Sequence, residues 1–375
     1  MLLGATASVA AAGDSIVDSA VFANAVADAE ESRWQSARDV GATIATVESD
    51  YPDDFAYAYF TDDTVAHVGF KAGAPERARD LLEGGDSRLE FEEYVGFTQD
   101  EYIAAAATLV DQVGVMLDAS PDRGFIIGPD PVAGRGVIRV VLTGDTADVP
   151  EPGISSLLPP GPFVLQVSHS PTVFEDASYG RAGGTWLVST LTGLGQCTSG
   201  FVAKRRGSTQ LGVATAGHCP DNLSYYHEGT HEVYPLAHVV TSSIGRGDSQ
   251  FHRSSRMMDA WFHADTNAGR PVLDVRTPYA GEGGVCAYGK TTGRKCGSAV
   301  AVNQWITTQT GTKGNQVLTN FSGAEGDSGG PLYGGNTAFG IVSSISQDGL
   351  LTASTSSSGV EFGLNVDICR HPVCS

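Results

Sequence analysis

The sequence predicts two unlike domains in one chain. A small α+β unit occupies residues 14–150, and an all-β sandwich or barrel occupies 181–375, after a Pro/Gly-rich linker over 151–180. Three observations carry this reading. Residues 1–176 hold 30 Asp/Glu against 9 Lys/Arg, whereas 177–375 hold 13 against 14, so an acidic half is joined to a neutral one. All six cysteines (Cys197, Cys219, Cys286, Cys296, Cys369 and Cys374) lie in the second half. Near Thr185 the apolar pattern changes from helical spacing to short β-prone runs between turn residues. With 375 residues, each domain has enough chain to bury its own core.

Residues 1–12 resemble the apolar core and small-residue end of a secretory signal, without a Lys or Arg before it; a signal remnant and a plain Ala-rich helix start fit equally. From about Asp14 to Gly41, Val17, Val21, Phe22, Val26 and Ala29 recur at helical spacing, and Tyr51-Pro-Asp-Asp54 breaks the pattern. Phe55–Phe60 and Val65–Phe70 read as strands. Ala74-Pro75 opens a helix that Gly84-Gly85 closes. Phe91–Phe97 is predicted as a strand and Gln99–Leu117 as a helix, with Ile103, Leu109, Val113 and Met116 at apolar positions. Phe125–Gly128 and Gly136–Leu142 complete the unit as strands. His67, in an apolar strand with no nucleophile nearby, is expected to be packed and not chemical. Between Pro150 and Gly184 proline and glycine dominate, with Phe163–Val167 as a short strand, and such exposed segments are where chains are cut. Beyond Thr185 the β-prone runs include Trp186–Ser189, Leu211–Ala214, Ala299–Val302, Gln316–Thr319 and Ala338–Val342.

Composition excludes several classes. Neither half has the basic surface that phosphate binding needs, so nucleic acid is not an expected partner. No apolar run approaches the roughly 18–20 residues that cross a bilayer. An even number of cysteines without a CxxC pair points to disulfides in an oxidising compartment and not to a zinc or redox site. Chain order favours Cys197–Cys219, Cys286–Cys296 and Cys369–Cys374.

Two motifs carry chemistry. Gly326-Asp-Ser-Gly-Gly-Pro331 sets Ser328 among glycines, where the backbone can fold sharply and present one hydroxyl. Serine is a weak nucleophile without a base. Thr215-Ala-Gly-His-Cys219 supplies one: His218 stands beside a cysteine whose disulfide would limit its movement.

Together these motifs resemble those of the chymotrypsin-like serine proteases, and especially their secreted bacterial branch of the alpha-lytic protease and streptogrisin type, made with an N-terminal pro-region. Cys197-Thr-Ser-Gly-Phe201 also resembles the strand whose cysteine bonds to the one beside the histidine. The resemblance covers about Gly180 to Ser375. It implies a multidomain chain in which an all-β double six-stranded antiparallel barrel follows a small α+β pro-domain. It further implies a secreted serine endopeptidase made as a zymogen, without a metal or other cofactor. His218 would take the Ser328 proton, the N–H groups of Gly326 and Ser328 would form the oxyanion hole, and Asp327 would hold the loop. Asp248, in Gly247-Asp-Ser-Gln-Phe-His252, resembles the Asp-x-Gln-aromatic-His pattern of bacterial relatives and is favoured as the orienting acid; Asp259, in Met258-Asp-Ala-Trp-Phe-His263, is the alternative. Ser322, Glu325, Ser343 and Ile345 would line the substrate pocket. Ser322 stands where a trypsin-like member carries Asp, and branched Ile345 stands where many carry Gly. A preference for small or modestly hydrophobic residues at P1, the substrate residue on the acyl side of the cleaved bond, is therefore expected.

Expected partners are a protein or peptide substrate and the chain's own N-terminal pro-region, with neither nucleic acid nor membrane, and the protein is expected to be a monomer. Two other readings compete. His227-Glu-Gly-Thr-His231 fits H-E-x-x-H, the zinc metallopeptidase signature, but Gly229 and Pro235 argue against the helix it needs. A protease-like binding module without turnover would need a lost nucleophile or base, and both are present.

Overall fold

The computed structural model describes residues 28–61, 64–84, 88–117, 123–144, 153–154, 157, 159, 161–176, 186–189, 195–227, 232–243, 245–266, 268–372 and 374. The signal-like stretch, the predicted helix before residue 28 and the region around Tyr179–Thr185 lie outside them. In the first half the elements run α1 (Gln35–Asp50), β1 (Phe55–Phe60), β2 (Ala66–Phe70), α2 (Glu76–Glu83), β3 (Leu89–Glu92), α3 (Gln99–Met116), β4 (Arg123–Pro129), β5 (Val137–Gly144), β6 (Val164–Ser170) and β7 (Phe174–Asp176). The second half begins with β8 (Trp186–Ser189), β9 (Gly195–Thr198), β10 (Val202–Arg205), β11 (Leu211–Thr215), β12 (Leu223–His227), β13 (Glu232–Thr241) and β14 (Gln250–Ser254). It continues through β15 (Trp261–Asp265), β16 (Ala268–Pro271), β17 (Asp274–Val275), β18 (Gly283–Gly289), β19 (Gly293–Thr308) and β20 (Gly311–Thr319). The chain ends with β21 (Pro331–Gly334), β22 (Thr337–Ser346), β23 (Thr352–Ser356), α4 (Ser357–Leu364) and β24 (Val366–Ile368).

Local chemistry accounts for several boundaries. Thr98 caps α3 in a reciprocal box: the Glu101 N–H donates to Thr98 Oγ1 at 3.2 Å, and the Thr98 N–H donates to Glu101 Oε2 at 2.8 Å. β3 lies at Leu89–Glu92, earlier than the strand expected over Phe91–Phe97, because Tyr94 and Gly96 take φ of 58° and 89° and end the extended run. The stretch read as a linker is more regular than expected: β6 pairs in parallel with β5, from Val137 opposite Val164 to Thr143 opposite Ser170. His67 stacks on Tyr59 with ring centroids 4.5 Å apart, a packed histidine.

α1 and α2 cover the small sheet β1-β2-β3, burying Ile44, Val47, Phe55, Phe70 and Leu82 together. α3 packs Tyr102, Leu109 and Val113 onto Ile127 and Val140. β4, β5 and β6 do not stop at the boundary between the halves. β4 pairs with β19, Ile126 opposite Ile306 and Ile127 opposite Trp305, so the first half extends a sheet of the second. Within that sheet β18, β21, β22, β23, β20 and β19 pair in turn, and β19 pairs back to β18. The other large sheet runs β24-β10-β11-β14-β13-β12-β8-β9. The second half is therefore predominantly β, as the short-strand texture predicts.

The halves also meet through charge. Glu31 accepts both Arg270 Nη atoms, at 2.8 and 3.1 Å, together with Arg294 Nη2 and the Gly335 N–H at 3.1 Å. Burial alone would raise the Glu31 carboxyl, but the two guanidinium groups hold it below the usual range. Beside this, Tyr279 Oη donates to Glu48 at 3.0 Å, and the Phe60 N–H donates to the Ala280 carbonyl at 2.7 Å. Gly281, at φ 80°, lies so close to this contact that a Cβ would fall 1.8 Å from the Phe60 carbonyl oxygen. Gly281→Ala is expected to lower the unfolding free energy of the full chain by about 3 kcal/mol. Urea denaturation reads this, and an unchanged midpoint would contradict the close approach of Phe60 to Gly281.

Candidate active site

His218 lies in the turn after β11, Asp248 in the turn before β14, and Ser328 between β20 and β21. The fold brings them into one line. His218 Nε2 is 2.9 Å from Ser328 Oγ, and His218 Nδ1 is 2.6 Å from Asp248 Oδ2. Asp248 Oδ1 also accepts the backbone N–H of His218 at 3.0 Å, fixing the backbone as well as the ring. Asp248, the favoured candidate, is thus the carboxylate at the histidine. Asp259 is exposed in the turn before β15, where it lines a cavity of about 270 Å³ with Tyr234, Met258 and Trp261.

Each turn is held by its neighbours. Disulfide Cys197–Cys219 ties β9 to the histidine turn, and Gln250 Nε2 donates to the Cys219 carbonyl at 2.9 Å. Thr215 Oγ1 donates to the Thr198 carbonyl at 2.8 Å. Thr198 in turn grips the serine loop, through its N–H to the Ser328 carbonyl at 2.7 Å and its hydroxyl to the Gly326 carbonyl at 2.8 Å. This explains Gly329: at φ 85°, a Cβ there would lie 2.0 Å from Thr215 Oγ1 and 2.3 Å from the Thr198 carbonyl oxygen. The other expected disulfides, Cys286–Cys296 and Cys369–Cys374, are also present.

Asp327 holds the loop from beneath. Its carboxylate accepts the N–H groups of Thr291 (2.9 Å), Thr292 (3.2 Å) and Ala324 (3.0 Å) and the Thr292 hydroxyl (2.7 Å). Burial raises its pKa, against the pull of those donors. Asp248 goes the other way. Its burial would raise it, but the charges and hydrogen bonds of His218 and Lys313 hold it far below the usual carboxylate range. Ser343 Oγ donates to the same Oδ2 at 2.7 Å, and Thr355 Oγ1 accepts the Asp248 N–H at 2.9 Å. His252, at the end of the Asp248 motif, is buried and pushed down to about 4, chiefly by that burial, so it is neutral.

The pocket residues divide. Ser322 and Glu325 are exposed, and Ile345 is half-buried with Gly323 packed against its branch. Ser343, expected to line the pocket, is fully buried and turns its hydroxyl to Asp248, so its side chain serves the aspartate. β7 lies along β22 here, with Glu175 opposite Ile345 and Asp176 opposite Ser344. Sequence reasoning missed Thr292, Thr355 and Lys313, whose roles no quoted motif announced; Thr198 and Thr215 stood inside quoted motifs without a role.

The zinc-like stretch is not helical where it is described. His227 ends β12, directly opposite Glu232 on antiparallel β13, and residues 228–231 lie outside the described residues. Among the described residues no group of three or more metal-ligating side chains converges.

No protein-family model matches the chain. It is 29% identical over 248 residues to streptogrisin-C of Streptomyces griseus, covering 60% of this chain and 45% of that protein. It is 28% identical over 166 residues to serine protease 2 of Streptomyces fradiae, covering 43% of this chain and 92% of that protein. The chain therefore spans less than half the length of the first of these relatives. Among solved structures, Nocardiopsis protease is 26% identical with a TM-score of 0.41, over 50% of this chain and 99% of that one. Cellulomonas bogoriensis chymotrypsin is 25% identical with a TM-score of 0.42, over 51% and 100%.

Asp248→Asn is expected to destabilise the protein by about 3 kcal/mol at pH 7, because it leaves buried Lys313 without its counter-charge. A carboxyl lowered by folding stabilises above its unfolded value of about 3.9 and loses that contribution as pH falls below it. That loss is complete only once pH passes the lowered folded value, so the gap between the denaturation curves of variant and parent should begin to narrow below about pH 4 and still be open at about pH 3; an offset that stays constant with pH would contradict the pairing.

Proposed function

We propose that this chain, which resembles the bacterial chymotrypsin-like serine proteases, is a secreted serine endopeptidase made as a zymogen. The observation that carries the reading is the continuous line from Ser328 Oγ through His218 to Asp248, with separations of 2.9 and 2.6 Å. His218 takes the Ser328 proton as Oγ attacks a peptide carbonyl, and returns it to the leaving amine. Asp248 receives Nδ1–H, which selects the tautomer with Nε2 facing the serine and stabilises the imidazolium. The N–H groups of Gly326 and Ser328 bind the oxyanion, and a second attack by water releases the acyl group.

The N-terminal half is read as a pro-region. β4 extends the sheet through β19, Glu31 grips two arginines of the second half, and β7 lies antiparallel along β22. A backbone in that place competes with a substrate strand for the same edge. Three disulfides fit an oxidising, extracellular setting. The preference for small or modestly hydrophobic side chains at P1 is read from branched Ile345, half-buried with Gly323 against it.

A fluorophosphonate should label the processed protein, and Ser328→Ala should abolish the label. Absence of labelling in the wild-type processed form would refute the reading. Asp248→Asn is expected to lower kcat about 10⁴-fold with KM little changed. Sequencing the N-terminus of the secreted form should find a start after residue 176; a mature chain that still begins before α1 would refute the pro-region.

A further inference from the structure

Asp248 carries one more partner than an orienting carboxylate needs. Lys313, 6% exposed on β20, places Nζ 2.9 Å from Asp248 Oδ2, the oxygen that also meets His218 Nδ1, and 3.3 Å from Ser344 Oγ. A lysine is rarely buried unless its charge is paired, so this one is built into the site. A cavity of about 250 Å³ opens beside it, lined by His218, Asp248, Thr310 and Lys313 among others. Lys313 is also held in register: it stands opposite Ile306 on β19, which stands opposite Ile126 on β4.

We infer that Lys313 is a positioning residue for the His218–Asp248 pair and sets the pH range over which His218 accepts a proton. The inference rests on the proteolytic reading above. With Lys313 present, Asp248 is already neutralised when His218 is unprotonated, so a proton on the imidazole adds a charge that nothing nearby cancels. Without Lys313 the same proton would neutralise Asp248. The ammonium therefore disfavours the imidazolium in the resting enzyme and keeps the base available at lower pH. It also lessens the help that Asp248 gives the imidazolium formed during attack, so acid tolerance is gained against plateau rate. The other groups facing Asp248 are uncharged: Ser343 from β22, Thr355 from β23 and the backbone N–H of His218. Among the described residues, His218 and Lys313 are the titratable groups in hydrogen-bond contact with it.

The test is the pH dependence of kcat/KM of the processed protease on a peptide substrate, for Lys313→Gln, Lys313→Met and charge-retaining Lys313→Arg. Both neutral variants should move the midpoint of the acid limb up by about one pH unit, with plateau kcat above wild type, and Lys313→Arg should leave the limb in place. A wild-type limb in the neutral variants would overturn the inference; a merely structural lysine would lower activity at every pH alike. Should the neutral variants not fold, the wild-type enzyme decides. The charge is buried and residues 177–375 carry 14 basic against 13 acidic groups, so the limb should stay fixed from about 0.05 to about 1 M salt. A limb that moves with salt would place the controlling charge on the surface. Wild-type protein that no fluorophosphonate labels would sink the proteolytic reading itself, whereas labelled protein whose limb ignores Lys313 sinks only this inference.

Discussion

The buried carboxylate of Asp248 is the constraint on which the rest of the site depends. An unpaired charge in that position would cost several kcal/mol, so the surrounding elements supply donors from every side. The histidine turn gives an N–H and a ring nitrogen, β22 gives Ser343, β20 gives Lys313, and β23 holds the backbone through Thr355. These come from both large sheets, so the two cannot shift against each other without breaking a bond to one ion.

Ser328 is fixed by a different means. Its loop is gripped by Thr198 from β9, braced by Asp327 against Thr291 and Thr292, and pinned where Gly329 leaves no room for a side chain. Asp327 is held by neutral donors and Asp248 by charged ones, which is why folding raises one carboxyl and lowers the other. The disulfide at Cys219 and the Gln250 bond to the Cys219 carbonyl join the two systems at the histidine.

The N-terminal half meets the second half in several ways, among them strand addition at β19, an ionic grip at Glu31, the approach of Phe60 to Ala280 and Gly281, and β7 along β22. The β19–β20 hairpin is the shared part, since one strand pairs with β4 and the other carries Lys313 to Asp248. β4 thus docks two strands away from the orienting aspartate, while β7 lies along β22, the strand that supplies Ser343 to it.

Local pattern was enough for much of this molecule. The spacing of Gln99–Met116, the alternation in Phe55–Phe60, and the glycines around Ser328 act over a few residues, so each could be read where it stands. His218 and Ser328 were legible because their flanking residues fix a local backbone. Asp248 and Asp259 both stood a few residues before an aromatic-His pair, and only tertiary packing put one carboxylate 2.6 Å from His218 and left the other exposed. Phe91–Phe97 looked like a strand until Tyr94 and Gly96 turned left-handed. Ser343 looked like a pocket wall until Asp248 claimed its hydroxyl. Lys313 left no trace in the sequence, because one lysine in a β-prone run is ordinary. Its place beside Asp248 arises from a pairing across 65 residues that no local pattern encodes.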